Sequence, residues 1–129
     1  MKELRGPGVT LRFLVESQEL LAMEGAYDGT GILPPPHLHP QQDERFEVLE
    51  GSIRASLDGA EQVHRAGSVF EVPAGMVHQM AALEPSRVRW EVRPALRTAE
   101  FFERLYSGDP GPGFLEDFAA EFRLVPDED

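Results

Sequence analysis

The sequence predicts an all-β protein, an antiparallel barrel or jelly roll carrying a short C-terminal helical extension. Three observations carry this expectation. Apolar and polar residues alternate with period two through successive short segments; turn residues such as Asp58-Gly59, Ala66-Gly67, Pro73 to Gly75 and Glu84-Pro85 separate those segments regularly; and a helical period appears only behind Pro94. Strands that follow one another without intervening helices argue against an alternating β/α fold.

Taken in order, Met1 to Gly8 hold two glycines and a proline and read as an irregular lead-in. The first strand begins at Val9, where Leu11, Phe13 and Val15 alternate with Thr10, Arg12 and Leu14. Leu20 to Tyr27 is the second, with Leu21, Met23 and Tyr27 on one face and Glu24 on the other. A helix over Glu16 to Gly25 is its competitor, because Leu20, Leu21 and Met23 partly fit a 3.6-residue period. Asp28 to Pro36 is a loop in which Pro34, Pro35 and Pro36 hold the backbone extended and exclude a helix.

Strands follow over Glu44 to Glu50, Ile53 to Leu57, Glu61 to Arg65, Ser68 to Val72, Val77 to Leu83 and Ser86 to Arg93. Phe46 and Val48 share the face of Glu44, His78 shares one with Met80, and Val88, Trp90 and Val92 alternate with Arg87, Arg89, Glu91 and Arg93. The polar Glu61 to Arg65 segment suits an edge. In Ala95 to Tyr106 the residues Leu96, Ala99, Phe102 and Leu105 or Tyr106 recur as a helical stripe, with Thr98 as the alternative cap of a helix starting at Ala99. After the breaker Ser107 to Gly113, Phe114 to Phe122 offers a further turn or two before an acidic tail whose end, Asp127 to Asp129, reads as frayed.

The 129 residues amount to one domain, with its barrel core over about residues 9–93 and the helical extension over about residues 95–122. A formal charge of -11, from 23 acidic and 12 basic residues, repels phosphates and anionic lipids, so neither nucleic acid nor membrane is an expected partner. The N-terminal residues lack the apolar stretch of a signal peptide, and no apolar run approaches ~18 residues, which points to a cytoplasmic protein. With no cysteine there is no thiolate ligand and no cysteine nucleophile; a bound metal has only nitrogen and oxygen donors.

Such donors cluster in Pro34 to Gly51. His37 and His39, one residue apart on an extended backbone, present both imidazoles to one face. Glu44 follows a segment long enough to return a carboxylate to that face, and His78 lies just behind the Pro73 to Gly75 turn, which would aim it inward. Three imidazoles and one carboxylate suit a single divalent ion, iron, manganese, nickel, zinc or copper, with one or two positions left for water or substrate.

These residues also carry a resemblance. The sequence resembles the cupin superfamily, small double-stranded β-helix proteins whose first motif is G-x5-H-x-H-x3-4-E-x6-G, filled here by Gly31, His37, His39, Glu44 and Gly51. The second, G-x5-P-x-G-x2-H-x3-N, is matched by Gly67, Pro73, Gly75 and His78, with Ala82 in place of the usual asparagine, which is not a ligand in the family. The resemblance covers Val9 to Arg93 and implies His37, His39, Glu44 and His78 as ligands inside an open barrel. It further implies a homodimer and a C-terminal extension that covers a barrel end or builds the interface.

Phe46, Val48, Phe70, Met76, Met80, Val88 and Trp90 share the inward parity of the ligands, and Phe46, Met80 and Trp90 are the candidates to line a small-molecule pocket. His64 falls outside the pattern on a polar strand and reads as solvent-exposed. Arg87, Arg89 and Arg93 oppose Trp90 and form a solvated or interface face. The expected chemistry is that of a metal-dependent dioxygenase acting on a hydroxylated aromatic or diketone substrate, with Glu44 as both ligand and catalytic base. A metal-dependent isomerase, cyclase or decarboxylase, or a non-enzymatic binding module, are the alternatives.

Overall fold

A computed structural model of the chain describes residues 2–30 and 34–125; Gly31 of the first glycine-histidine motif and the Asp127 to Asp129 tail lie outside them. Eleven strands and two helices follow in order: β1 (Glu3–Gly6), β2 (Val9–Glu16), β3 (Leu21–Tyr27), β4 (His37–Leu38), β5 (Asp43–Glu50), β6 (Ser52–Leu57), β7 (Ala60–Arg65), β8 (Val69–Val72), β9 (His78–Ala82), β10 (Ser86–Arg93), α1 (Thr98–Tyr106), α2 (Phe114–Asp117) and β11 (Arg123–Leu124). They form two antiparallel sheets, one ordered β1-β2-β3-β10-β5-β8 and the other β11-β4-β9-β6-β7. The architecture is the expected all-β jelly roll with a short helical extension. No helix among the described residues is long and apolar enough to cross a membrane.

The inward residues of both sheets meet in a core of Phe46, Val48, Ile53, Ala55, Phe70, Val72, Ala82 and Val88. Here the period-two alternation holds, because each of these strands buries one face against the opposite sheet. A second cluster joins Leu11, Phe13, Leu21, Met23 and Val92 to Ala95 and Phe102, seating α1 against the β1–β3 end of the barrel.

Several local expectations are corrected. The lead-in is strand β1, whose Glu3 to Gly6 pair with Arg12 to Val9; its polar residues carry no alternation, so only the partner strand defines it. The strand expected over Leu20 to Tyr27 does form, as β3 from Leu21, hydrogen-bonded between β2 and β10, and the competing helix with its partial 3.6-residue period does not. A register shift between Phe13 and Val15 leaves Val15 exposed, off the face it was expected to share with Leu11 and Phe13. In α1 the buried residues are Thr98, Phe101 and Phe102, while Leu96 and Leu105 are exposed. The second helix is a single turn, and the chain then returns to the barrel as β11, which pairs with β4. His64 is half-buried: its ring stacks on Phe70 with centroids 4.2 Å apart, and its Nδ1 lies 2.8 Å from Ser68 Oγ.

Gly51 shows why one turn admits no side chain. Its φ is 82°, and a Cβ there would lie 2.2 Å from Ser86 Oγ and 2.5 Å from the Pro85 carbonyl oxygen. That hydroxyl is already committed, accepting from Ser52 N and donating to Glu84 O. Gly59 has a similar φ of 85° but nothing within 4 Å. Gly59→Ala is therefore expected to cost about 1–2 kcal/mol from backbone strain alone, and Gly51→Ala about 2–4 kcal/mol from strain plus overpacking. Urea unfolding of the two variants checks the difference, and equal losses would contradict it.

Candidate metal centre

The site sits where the two sheets meet. His37 opens β4 and stands in register with His78, the first residue of β9, so their rings come within 4.3 Å. His39 follows β4, and its carbonyl accepts a 2.9 Å hydrogen bond from Gly75 N; Asp43 Oδ1 accepts another from Ala74 N at 2.8 Å. Thus the Pro73 to Gly75 turn is stitched to the segment that carries His39. From the other sheet, Glu44 on β5 reaches inward between Val72 of β8 and Val92 of β10. Glu44, His39 and His78 are 2%, 7% and 3% exposed, and His37 is half-buried.

Every one of the three imidazoles has its Nδ1 against a backbone carbonyl: His37 on Pro35 at 3.0 Å, His39 on Glu121 at 2.7 Å and His78 on Met76 at 3.0 Å. A carbonyl only accepts, so each Nδ1 must donate, and in the neutral ring the lone pair is left on Nε2. Those ligand atoms all lie within 4.8 Å of one another, a cluster capable of holding a metal ion. His39 Nε2 and His78 Nε2 each stand 3.0 Å from the same carboxylate oxygen, Glu44 Oε1. For His39 this is hydrogen-bonding distance without hydrogen-bonding direction, since neither its Nε2 nor Glu44 Oε1 has a hydrogen-bond partner. Buried acceptors aimed at a common point are what a cation satisfies. His39, His78 and Glu44, with His37 beside them, would hold such an ion through nitrogen and oxygen donors.

Trp90 completes the arrangement, its Nε1 donating to Glu44 Oε2 at 2.7 Å. This fixes the carboxylate rotation and leaves Oε1 for the histidines. Burial opposes the Glu44 charge, but His39 and His78 outweigh it and bring the carboxyl down to about 2. For His39 burial pulls the other way and the adjacent carboxylate prevails, holding the imidazole above its usual value. Burial and the nearby His78 lower His37 to about 4.

The C-terminal extension builds one wall of the site. Glu121 supplies the carbonyl under His39, its own buried carboxylate faces Arg97 N at the start of α1 at 3.4 Å, and Phe122 stacks on His37 with centroids 4.8 Å apart. Phe122 is held in turn by Phe101, which stacks on Phe114 and packs on Phe118. Gln42, 1% exposed, lies between His39 and Glu44 and donates to the Pro94 and Ala95 carbonyls at 2.8 and 2.7 Å, tying the ligand loop to the start of the extension. The extension therefore covers its own barrel.

A cavity of about 530 Å³ opens onto the cluster, and Phe46, Met80 and Trp90 line it beside Phe101, Phe102 and Phe122. Gln42, Glu121 and Phe122 carried no sequence signal for the site, because a backbone carbonyl has no residue-type signature and a glutamine in a loop is ordinarily a surface residue. Tyr27 and Tyr106 also line the cavity, although the alternation identified neither as part of a site.

Residues 26–92, more than half of the chain, match the Cupin domain family model. This chain belongs to the cupin family. The cupin is 30% identical over 101 residues to putative germin-like protein 8-1 of Oryza sativa subsp. japonica, covering 73% of this chain and 41% of that protein. It is 37% identical over 57 residues to germin-like protein 9-1 of the same plant, covering 39% and 23%. The chain thus spans less than half the length of the curated relatives it matches. Among solved structures it resembles KdgF from Halomonas sp., with a TM-score of 0.67 and 26% identity over 73% of this chain and 86% of that one. An RmlC-like cupin from Shewanella frigidimarina is similar to the same degree, with a TM-score of 0.67 and 25% identity over 73% and 84%.

Two outcomes are expected of the cupin's centre. Protons compete with a divalent ion for the Nε2 atoms, and Glu44 keeps the His39 proton on to a higher pH than usual. Affinity for Mn2+, measured calorimetrically, should therefore fall as pH is lowered from 8 to 6, by up to about tenfold per unit once His39 is protonated. A flat profile would contradict this. Ending the chain after Ala119 removes the carbonyl under His39 and the ring over His37; metal affinity should fall about 10–100-fold while the far-ultraviolet circular dichroism remains that of a β protein.

Proposed function

We propose that this cupin is a divalent-metal enzyme acting on a small, largely apolar substrate that carries a hydroxyl or carbonyl oxygen, with dioxygenase chemistry as the leading reading. The observation that carries the proposal is the meeting of an apolar cavity with a convergent, largely buried set of nitrogen and oxygen donors, His37, His39, His78 and Glu44. We assign all four as ligands. A divalent ion held there would supply Lewis acidity and, if redox-active, a path for electrons to dioxygen.

The chain's own groups have definable tasks. The carbonyls of Pro35, Glu121 and Met76 keep the three rings in the tautomer that exposes Nε2. Trp90 fixes Glu44 Oε2, so the base role expected of Glu44 falls to Oε1 alone. A carboxyl held near 2 is ionised at neutral pH but a weak base, which suits proton abstraction only from a substrate already acidified by bound charge. Phe46, Met80, Phe101, Phe102 and Phe122 surround the donors with apolar surface that excludes water and favours an aromatic or aliphatic substrate over a sugar.

The test is oxygen consumption by the protein loaded in turn with iron, copper, nickel, manganese and zinc, over a panel of flavonols, diketones and catechols. Uptake with at least one pairing is expected, and it should disappear together with bound metal in His37→Ala and His78→Ala. Substrate loss without oxygen uptake would replace the dioxygenase reading by the isomerase or cyclase one. Stoichiometric metal retained in both variants would overturn the ligand assignment.

A further inference from the structure

Building on the reading of the cavity as a substrate site, we infer that Tyr27 and Tyr106 are its specificity-determining pair, and that they select a neutral, carbonyl-bearing substrate over its carboxylate counterpart. Three observations on the cavity lead there. First, its described lining contains no lysine or arginine, so the permanently charged side chains that ordinarily pair with an organic anion are missing from it. Second, apart from the His, Glu and Trp cluster, the polar side chains in that lining are Tyr27, Tyr106, Asp28 and Thr30. Asp28 adds negative charge at the wall and already accepts from Thr30 N at 2.9 Å. Third, neither phenol makes a hydrogen bond within the protein among the described residues, which leaves two O–H donors at the cavity wall without an internal acceptor.

Both rings are seated with care on glycines. A Cβ at Gly25 would lie 2.9 Å from Tyr27 Cε2 and 3.0 Å from its hydroxyl oxygen. The phenol of Tyr27 thus folds back over the second residue before it, beside the core residues Leu11 and Val88 that pair with Gly25, where it packs against the core and lines the cavity. At Gly6 a Cβ would meet the Tyr106 ring at 3.3 Å, so the last residue of α1 rests on β1 where no side chain intervenes. One phenol therefore comes from the barrel wall and the other from the extension, and both share a cavity with the metal cluster.

Burial raises both phenols, Tyr106 to about 12 and Tyr27 further still, so at neutral pH they are uncharged donors. An uncharged donor bonds a carbonyl well, whereas a carboxylate at the phenol end of this cavity loses its water without gaining a lysine or arginine partner. The geometry suits a molecule with an apolar body and oxygen at two places, one toward the histidines and one toward the phenols.

Trp90 is the one tryptophan of the chain and lies at the site, which makes its fluorescence a binding signal that does not require turnover. The experiment compares 1-phenylpropane-1,2-dione with phenylglyoxylate, which differ essentially by a methyl ketone against a carboxylate, on metal-stripped protein. The dione should quench Trp90 saturably and bind at least about tenfold more tightly than the acid. Tyr27→Phe and Tyr106→Phe keep each ring on its glycine and remove one hydroxyl; each should weaken the dione by about 3- to 10-fold, with thermal midpoints unchanged and the acid unaffected. Gly25→Ala, which displaces the Tyr27 ring, should match Tyr27→Phe. Equal binding of dione and acid, wild-type affinity in both Phe variants, or no saturable quenching by the dione would each overturn the inference. Since no metal and no oxygen are involved, loss of the dioxygenase reading with dione selectivity intact would leave it standing.

Discussion

The structure depends on an electrostatic conflict held in place by backbone. Three carbonyls hold three Nδ1–H groups, the rings consequently turn their Nε2 atoms toward one point, and a carboxylate oxygen stands 3.0 Å from two of them. Buried acceptors left without a donor cost about 1–3 kcal/mol each, so such a cluster is retained against stability unless a positive charge joins it. A proton shared with His39 would relieve part of the conflict, and a divalent ion held by these residues would relieve more of it. Metal affinity and pH are therefore two expressions of one competition.

The fold can sustain that conflict because its parts come from separately anchored elements. His37 and His78 belong to β4 and β9 of one sheet and His39 directly follows β4, while Glu44 and Trp90 come from β5 and β10 of the facing sheet. Between the sheets the core is apolar and well buried, so the ligand set cannot relax by moving one strand without opening the packing of Phe46, Val48 and Val88. The C-terminal segment adds a third anchor. Through Glu121 it holds both the start of α1 and the ring of His39, and through β11 it covers the edge of β4. Site geometry and the docking of the extension are consequently one structural event.

The cavity also separates two scales of electrostatics. The chain as a whole carries a formal charge of -11, which favours cation encounter from solution, yet the described cavity wall is largely apolar with neutral donors. Acidic side chains in the described wall are limited to Glu44, beside the histidines, and Asp28, and recognition elsewhere relies on shape and hydrogen bonds. In such surroundings a single phenol hydroxyl can discriminate between ligands, because little water remains to compensate a mismatch.

The sequence by itself determined the β architecture from Val9 to Arg93 and brought His37, His39, Glu44 and His78 into one site. Strand alternation and turn residues are local signals, and the His-x-His and Pro-x-Gly-x2-His spacings require only that neighbouring residues lie on extended backbone. Inward parity likewise singled out Phe46, Met80 and Trp90 as cavity residues, which is where they lie. Tertiary structure alone decided the rest. Strands β1 and β11 exist because partners β2 and β4 supply hydrogen bonds to sequences with no alternation of their own. The orientations of the three imidazoles depend on main-chain oxygens of Pro35, Met76 and Glu121, and any residue type provides such an atom. Glu121 lies 82 positions from His39, and no local pattern encodes that meeting. The glycine seats of Tyr27 and Tyr106 are of the same kind, since a missing side chain has meaning only when the ring that fills its place is known.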